Sequence, residues 1–245
     1  MLHEQVALVS GGGDGVGRAI SLRLAREGVR VIVVDRDAGA AEETARIIRS
    51  SGRAADAWGI ERNDAASTRE VVAQVVERYR RLDVVVDNDV LAGGVSLEGN
   101  PVSYWRQVAD RPFVGLKRWS ESALPVMLRQ GGGLITLLAP MTSAVVRDEI
   151  AIRFAGAAAH PGRWLVSRRP ARVRINCICP GWIETPDVRR ALQALPAQDR
   201  GRLPYPPPAT MILPRQLASL VILLTRHEEI AGRVVAWPDE GAWQL

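Results

Sequence analysis

The sequence predicts an α/β protein built on a parallel sheet that is covered on both faces. Three observations carry this. Short, nearly continuous apolar runs recur along the chain, the pattern of strands buried on both sides. Amphipathic stretches with helical spacing separate them. No linker or repeat divides the 245 residues, so residues 1–245 read as one doubly wound domain.

The elements follow in order. VALVS (Val6–Ser10) is a short buried strand. Gly15 to Glu27 places Val16, Ile20, Leu22 and Leu24 at helical spacing, and Gly28 ends the helix. VRVIVVD (Val29–Asp35) is the second strand, Ala40 to Ser50 a helix, and Ala54 to Ile60 the third strand. Ala65 to Arg80 is a helix and LDVVVDN (Leu82–Asn88) the fourth strand. Pro101 to Gln130 reads as mostly helical, with Pro112 interrupting it and Pro125 near its end. GLITLLA (Gly133–Ala139) is the fifth strand, and EIAIRFAGAAAHPGRW (Glu149–Trp164) lies in a helix that Pro161-Gly162 should bend or break. VRINCIC (Val173–Cys179) is the sixth strand. The Pro-rich residues 180–213 read as irregular, Leu213 to Arg226 as a helix, and GRVVAW (Gly232–Trp237) as the seventh strand.

Composition excludes several classes. No apolar run reaches the roughly 18 residues of a membrane span. MLHEQVALVSGGG lacks the basic region and long apolar core of a secretory signal, so the reading expects a cytoplasmic protein. The net charge is +5, but the basic residues are spread and only Arg168 to Arg174 cluster, so no nucleic-acid role is expected. Cys177 and Cys179 share one face of a strand, read as buried reduced thiols. No metal site is expected.

SGGGDGVG, Ser10 to Gly17, follows the first strand and opens the first helix. Glycines there let the backbone turn tightly and approach a pyrophosphate, which the helix N-terminus attracts. Asp35 ends the second strand 18 residues after Gly17, where a carboxylate can take ribose hydroxyls. Asp35 and Asp14 would both repel the 2′-phosphate of NADP, so NAD is the expected cofactor and NADP is disfavoured.

With these residues in place the chain resembles the short-chain dehydrogenase/reductase family over nearly its whole length. Gly11, Gly15 and Gly17 match TGxxxGIG, with Ser10 for Thr and Val16 for Ile. LDVVVDNDV resembles the strand ending in NNAG, and Trp105 matches a family tryptophan. INCICPGWIETP, Ile175 to Pro186, resembles RVNxVxPGxxxTP, and GRVVAWPDEG resembles the last strand and its VDGG ending. The resemblance implies a Rossmann-like sheet of seven parallel strands in the order 3-2-1-4-5-6-7. It also implies a cofactor site at Ser10, Gly11, Gly15, Val16, Gly17, Asp35, Glu61, Asn88, Pro180, Gly181 and Ile183. Glu61 replaces the usual Asp near the adenine. NNAG has become Asp87-Asn88-Asp89-Val90, which brings carboxylates to the cofactor and removes a glycine.

The family's chemistry is missing. Its members move a proton through a Tyr-xxx-Lys pair, orient substrate with a Ser and position a water with an Asn. The tyrosines here are Tyr79, Tyr104 and Tyr205, and the only lysine, Lys117, is preceded four residues earlier by Phe113. A Tyr-xxx-Lys pair therefore exists nowhere in this sequence. Counting from the fifth strand puts the Ser position on Pro140, the Tyr on Arg153 and the Lys on Ala157. Counting back from Pro170 and Asn176 puts the last two on Ile150 and Phe154 instead. The Asn position falls on Pro112, which has no donor. Thr142 and Ser143 lie close enough to replace the Ser but not the missing pair.

Three functions compete. The first is a non-catalytic subunit, in a homo- or hetero-oligomer through the helices around 101–130 and 149–168, pairing with an active NAD-dependent paralogue. In that complex Arg153 and Arg163 would suit an acyl-CoA or other anionic substrate. The second is an enzyme of different chemistry, an isomerase, dehydratase or cofactor-independent catalyst, with Arg153 binding an anion and His160 moving a proton. The third is an NAD-sensing regulator. Turnover by a mixture, turnover by the pure chain, or binding without turnover separates them.

Overall fold

The computed structural model describes residues 2–60, 65–88, 118–139, 173–194 and 211–236. The chain runs β1 (Val6–Ser10), α1 (Gly15–Arg26), β2 (Arg30–Asp35), α2 (Ala38–Ser50), β3 (Ala55–Gly59), α3 (Ala65–Tyr79) and β4 (Val84–Asp87). A helix over 118–130, here α4, precedes β5 (Gly133–Leu138) and β6 (Val173–Cys179). Then come α5 (Pro186–Ala194), α6 (Pro214–Arg226) and β7 (Val234–Ala236). The strands form one seven-stranded sheet in the order β3-β2-β1-β4-β5-β6-β7. Every pairing is parallel. The strand order and doubly wound class are those expected from the sequence.

Strand alternation sends successive side chains to opposite faces, and each face meets its own helices. On one face Val9, Val31, Val86 and Ile178 pack with Ile20 and Leu24 of α1, Ala45 and Ile48 of α2, and Leu217, Val221 and Leu224 of α6. On the other, Leu8, Ile32, Val85 and Ile135 pack with Val71 and Val75 of α3 and Trp119, Ala123 and Met127 of α4. Burying each such aliphatic side chain is worth about 1.5–3 kcal/mol. Cys177 and Cys179 are both buried and free, with sulfurs 4.0 Å apart, as the strand spacing predicted.

Several boundaries shift by one or two residues from the sequence reading, and two differences have a clear local cause. Residues 180–213 are not irregular throughout, since they contain α5. Thr185 starts it: its hydroxyl accepts from Val188 N at 3.3 Å and its carbonyl from Arg189 N at 2.9 Å. Pro186 then occupies the first helical position, where a proline favours a helix rather than breaking it. The second helix begins at Ala38 rather than Ala40, because the Asp37 carboxylate caps Gly39 N and Ala40 N. The last strand is described over Val234–Ala236, and Trp237, its expected end, lies outside the described residues.

Long-range polar contacts fix the sheet's lower edge and its last strand. The Gln130 amide donates to Leu82 O at 2.7 Å and accepts from Leu82 N at 3.1 Å, completing the approach to β4. Asn176 donates to Ile230 O and accepts from Arg233 N, both at 3.0 Å, which seats β7. The Arg174 guanidinium donates to Leu224 O and His227 O at the carboxyl end of α6, where a cation meets the helix dipole. Burial there pulls the Arg174 pKa below its ordinary value. No helix among the described residues is long and apolar enough to cross a membrane.

Candidate functional site

The chain order reverses between β1 and β4, so a crevice opens beyond their carboxyl ends, the usual ligand position in an open α/β sheet. Its floor is the loop from Ser10 to Gly17. Gly11 has φ 62 and Gly15 φ 50, a conformation that favours glycine. A Cβ on Gly17 would lie 1.9 Å from Gly11 O and 2.9 Å from Asn88 Nδ2. Only glycine lets α1 approach β1 this closely. Ser10 and Val16 are buried beneath the loop.

The peptide of Gly13 is held from both sides. Its N–H donates to Asp35 Oδ2 at 2.9 Å. Its carbonyl accepts from Arg18 Nη2 at 2.7 Å and Nε at 3.0 Å, and from the Thr44 hydroxyl at 2.9 Å. Sequence reasoning missed Arg18 and Thr44. The only signal for Arg18 was its place directly after Gly17; Thr44 gave none, being one polar residue on the buried face of α2.

Asp35 sits where it was expected, at the end of β2 and 6% exposed. Its two oxygens are already engaged, Oδ2 by Gly13 N and Oδ1 by Asp37 N at 3.1 Å. Asn88 follows β4 and is 3% exposed. Its amide donates to Gly11 O at 3.0 Å, while its buried Oδ1 takes no hydrogen bond among the described residues. A buried acceptor left so costs about 1–3 kcal/mol, and a ligand hydroxyl would relieve it.

The facing lip is the segment after β6. Pro180 is buried, Gly181 turns with φ 56, and Ile183 is buried and bridged to Ile212. Thr185 Cγ2 lies 4.0 Å from where a Gly15 Cβ would be, so this lip closes against the N-terminus of α1. The structure thus brings together Ser10, Gly11, Gly15, Val16, Gly17, Asp35 and Asn88, with Pro180, Gly181 and Ile183 in the lip. Glu61, Asp89 and Val90 lie outside the described residues. So do Pro112, Pro140, Thr142, Ser143, Ile150, Arg153, Phe154, Ala157, His160 and Arg163, and with them the helices expected over 101–117 and 149–168.

The residues present suit a nicotinamide adenine dinucleotide in their backbone: a glycine cradle that a Cβ would fill, a helix N-terminus, and an orphaned buried acceptor. No cluster of three metal-binding side chains occurs among the described residues. A polar cavity of about 800 Å³ opens at the opposite ends of the strands, between Gln5, Asp83, Gln130 and Arg174. Its Arg81 is paired with Asp83 and its Arg174 with α6 carbonyls, so it offers no comparable chemistry.

The profile of the short chain dehydrogenase family matches residues 5–195. An uncharacterised oxidoreductase of Mycobacterium tuberculosis is 31% identical over 209 residues, covering 83% of this chain and 77% of that protein. A crystal structure described as a short-chain dehydrogenase/reductase from Burkholderia xenovorans is 27% identical, with TM-score 0.76 over 96% of this chain and 95% of the other. A 7α-hydroxysteroid dehydrogenase, solved with NADH and 7-oxo glycochenodeoxycholic acid, shares the fold at 19% identity. Its TM-score is 0.78 over 100% of this chain and 96% of that one.

Proposed function

The chain belongs to the short-chain dehydrogenase family, and from that premise we propose that it is a non-catalytic member, keeping the nucleotide crevice and pairing with an active NAD-dependent relative. One observation carries the reading. The sequence has three tyrosines and one lysine, and no tyrosine stands four residues before that lysine. Bound NAD would supply or accept a hydride, but carbonyl reduction also needs a proton delivered to the substrate oxygen. A phenol lowered by a nearby ammonium does this in the family. Losing a general acid costs about 10²–10⁴ in rate, and a proline, Pro112, at the position expected for the Asn deepens the loss.

In the crevice, Gly11, Gly15 and Gly17 would admit the pyrophosphate, Asp35 would take ribose hydroxyls, and Thr185 with Pro180–Ile183 would close the far side. The surfaces for a partner are the helices expected around 101–130 and 149–168, whose Ala- and Gly-rich stretch allows close helix packing.

The test is turnover of the pure chain and of mixtures. NADH oxidation with a panel of ketones and 3-oxoacyl thioesters should stay at the blank rate for the pure chain. Adding an active family member from the same genome should give a hetero-oligomer by native mass spectrometry and change that partner's rate. Turnover by the pure chain within about 100-fold of an active member, or no complex with any relative, rejects the reading.

A further inference from the structure

The feature that the cradle's family pattern does not account for is Asp14. It caps α1 from extended backbone, φ −147 and ψ 171. Its Oδ1 accepts from Gly15 N at 2.6 Å. Gly15 N is one of the first free amides of the helix, the group that a ligand phosphate would use. A full negative charge of the protein therefore already stands at the positive end of α1.

The backbone that carries the exposed Asp14 side chain is held on both sides. The residue before it, Gly13, is fixed by Asp35 through its N–H and by Arg18 and Thr44 through its carbonyl. The residue after it, Gly15, lies under the Thr185 lip. Among the described residues no cation bonds Asp14, and Arg18, the nearest in sequence, spends its guanidinium on Gly13 O and Thr44. The neighbouring carboxylates of Asp35 and Asp37 add charge of the same sign at the adenosine end.

We propose that Asp14 is an intramolecular anion competing with ligand phosphate for the N-terminus of α1, so that the crevice favours the nucleoside part of an adenine nucleotide and penalises its phosphates. This rests on the reading that the crevice faces a nucleotide, and it deepens that reading by naming what limits the affinity. Phosphates still enter, but against one fixed charge that must be displaced or tolerated.

The experiment is calorimetric titration of the pure chain with adenosine, ADP and NAD⁺. Asp14→Asn keeps the shape and the capping ability but not the charge, and Asp14→Ser is a second neutral cap. Asp37→Asn removes a nearby charge from the N-terminus of α2 instead. Either Asp14 variant should bind ADP and NAD⁺ about fivefold more tightly, with adenosine changed less than about twofold. A fivefold gain is about 1 kcal/mol, the upper end for one exposed charge at a helix terminus. Asp37→Asn should move ADP by less than about twofold.

The proposal is overturned if ADP binds the Asp14 variants no more tightly than the unchanged chain. Adenosine gaining by the same factor, or the unchanged chain binding ADP about tenfold better than adenosine, also overturns it. So does failure of every probe to bind the folded variants, with folding checked by circular dichroism. Turnover by the pure chain would reject the non-catalytic reading without moving any of these ratios.

Discussion

At Gly17 one hydrogen atom decides whether the loop exists. A methyl group there would sit 1.9 Å from Gly11 O and 2.7 Å from Gly11 C, both backbone atoms that cannot swing aside. Gly17→Ala should therefore cost about 1–3 kcal/mol of stability by overpacking and abolish ADP binding. Gly52→Ala is the comparison: Gly52 has φ 75 but nothing within 4 Å, so the alanine meets only the strain of a left-handed backbone, about 1–2 kcal/mol. Urea midpoints and an ADP titration check the pair; equal midpoints with binding retained in both would contradict the packing argument. At this scale the glycines were legible because a Gly-rich string after a strand has few other uses. Thr44 was not, because it bonds Gly13 from 31 positions away and only the fold brings them together. Asp14 was legible as a charge but not as a cap, since its meaning depends on extended backbone at one residue.

Helices report on each other through ion pairs that no local pattern announces. Glu27, at the end of α1, pairs with Arg23 in its own helix and with Arg226 in α6, 199 positions away. Burial alone would raise the Glu27 pKa, but Arg23 and Arg226 outweigh it and the carboxyl ends below its ordinary value. The folded chain thus holds this proton less tightly than the unfolded one. The stabilisation is complete above the ordinary glutamate range and lost as pH falls through the lowered value. The side chain is 14% exposed and its arginines more so, so Glu27→Gln should cost only about 0.2–1 kcal/mol at neutral pH. The gap from the unchanged chain should begin to narrow once the pH falls below the ordinary glutamate value, about 4.3. Urea unfolding at both pH values measures it, and a gap that persists in acid would mean the amide disturbs packing instead. The element scale also shows where proline misled. Thr185-Pro186 is a start signal for α5, but it stood among Pro204, Pro206, Pro207 and Pro208, whose density reads as a break. Strands were read best, because apolar runs bounded by Gly or Asp have little ambiguity in a parallel sheet.

The whole molecule places its stability in the middle of the sheet and its ligand crevice at the sheet's reversal. β1, β4 and β5 each have a neighbour on both sides and helices on both faces, and Leu8, Val85 and Ile135 are 0% exposed. Opening their amides requires losing both core layers at once. The edges differ. β3 carries half-buried Asp56 and Trp58 and an exposed Gly59, and β7 has only three residues, seated largely by Asn176 and Ile178 on β6. Native-state hydrogen exchange should show Leu8, Val85 and Ile135 exchanging only through global unfolding, with denaturant dependence equal to the equilibrium value. Val234–Ala236 and Ala55–Gly59 should exchange through smaller openings. If β7 were as protected as β1, the Asn176 and Arg174 contacts would be binding it into the global unit. Asn176→Ala should then collapse that protection to the level of an edge. The crevice lies between strands of the slow group, but its far lip, Gly181–Thr185, hangs from β6 beside the weak edge. Nucleotide binding should accordingly slow exchange most at Ile183 and Glu184 and least at Ser10, whose amide is already held by the central sheet.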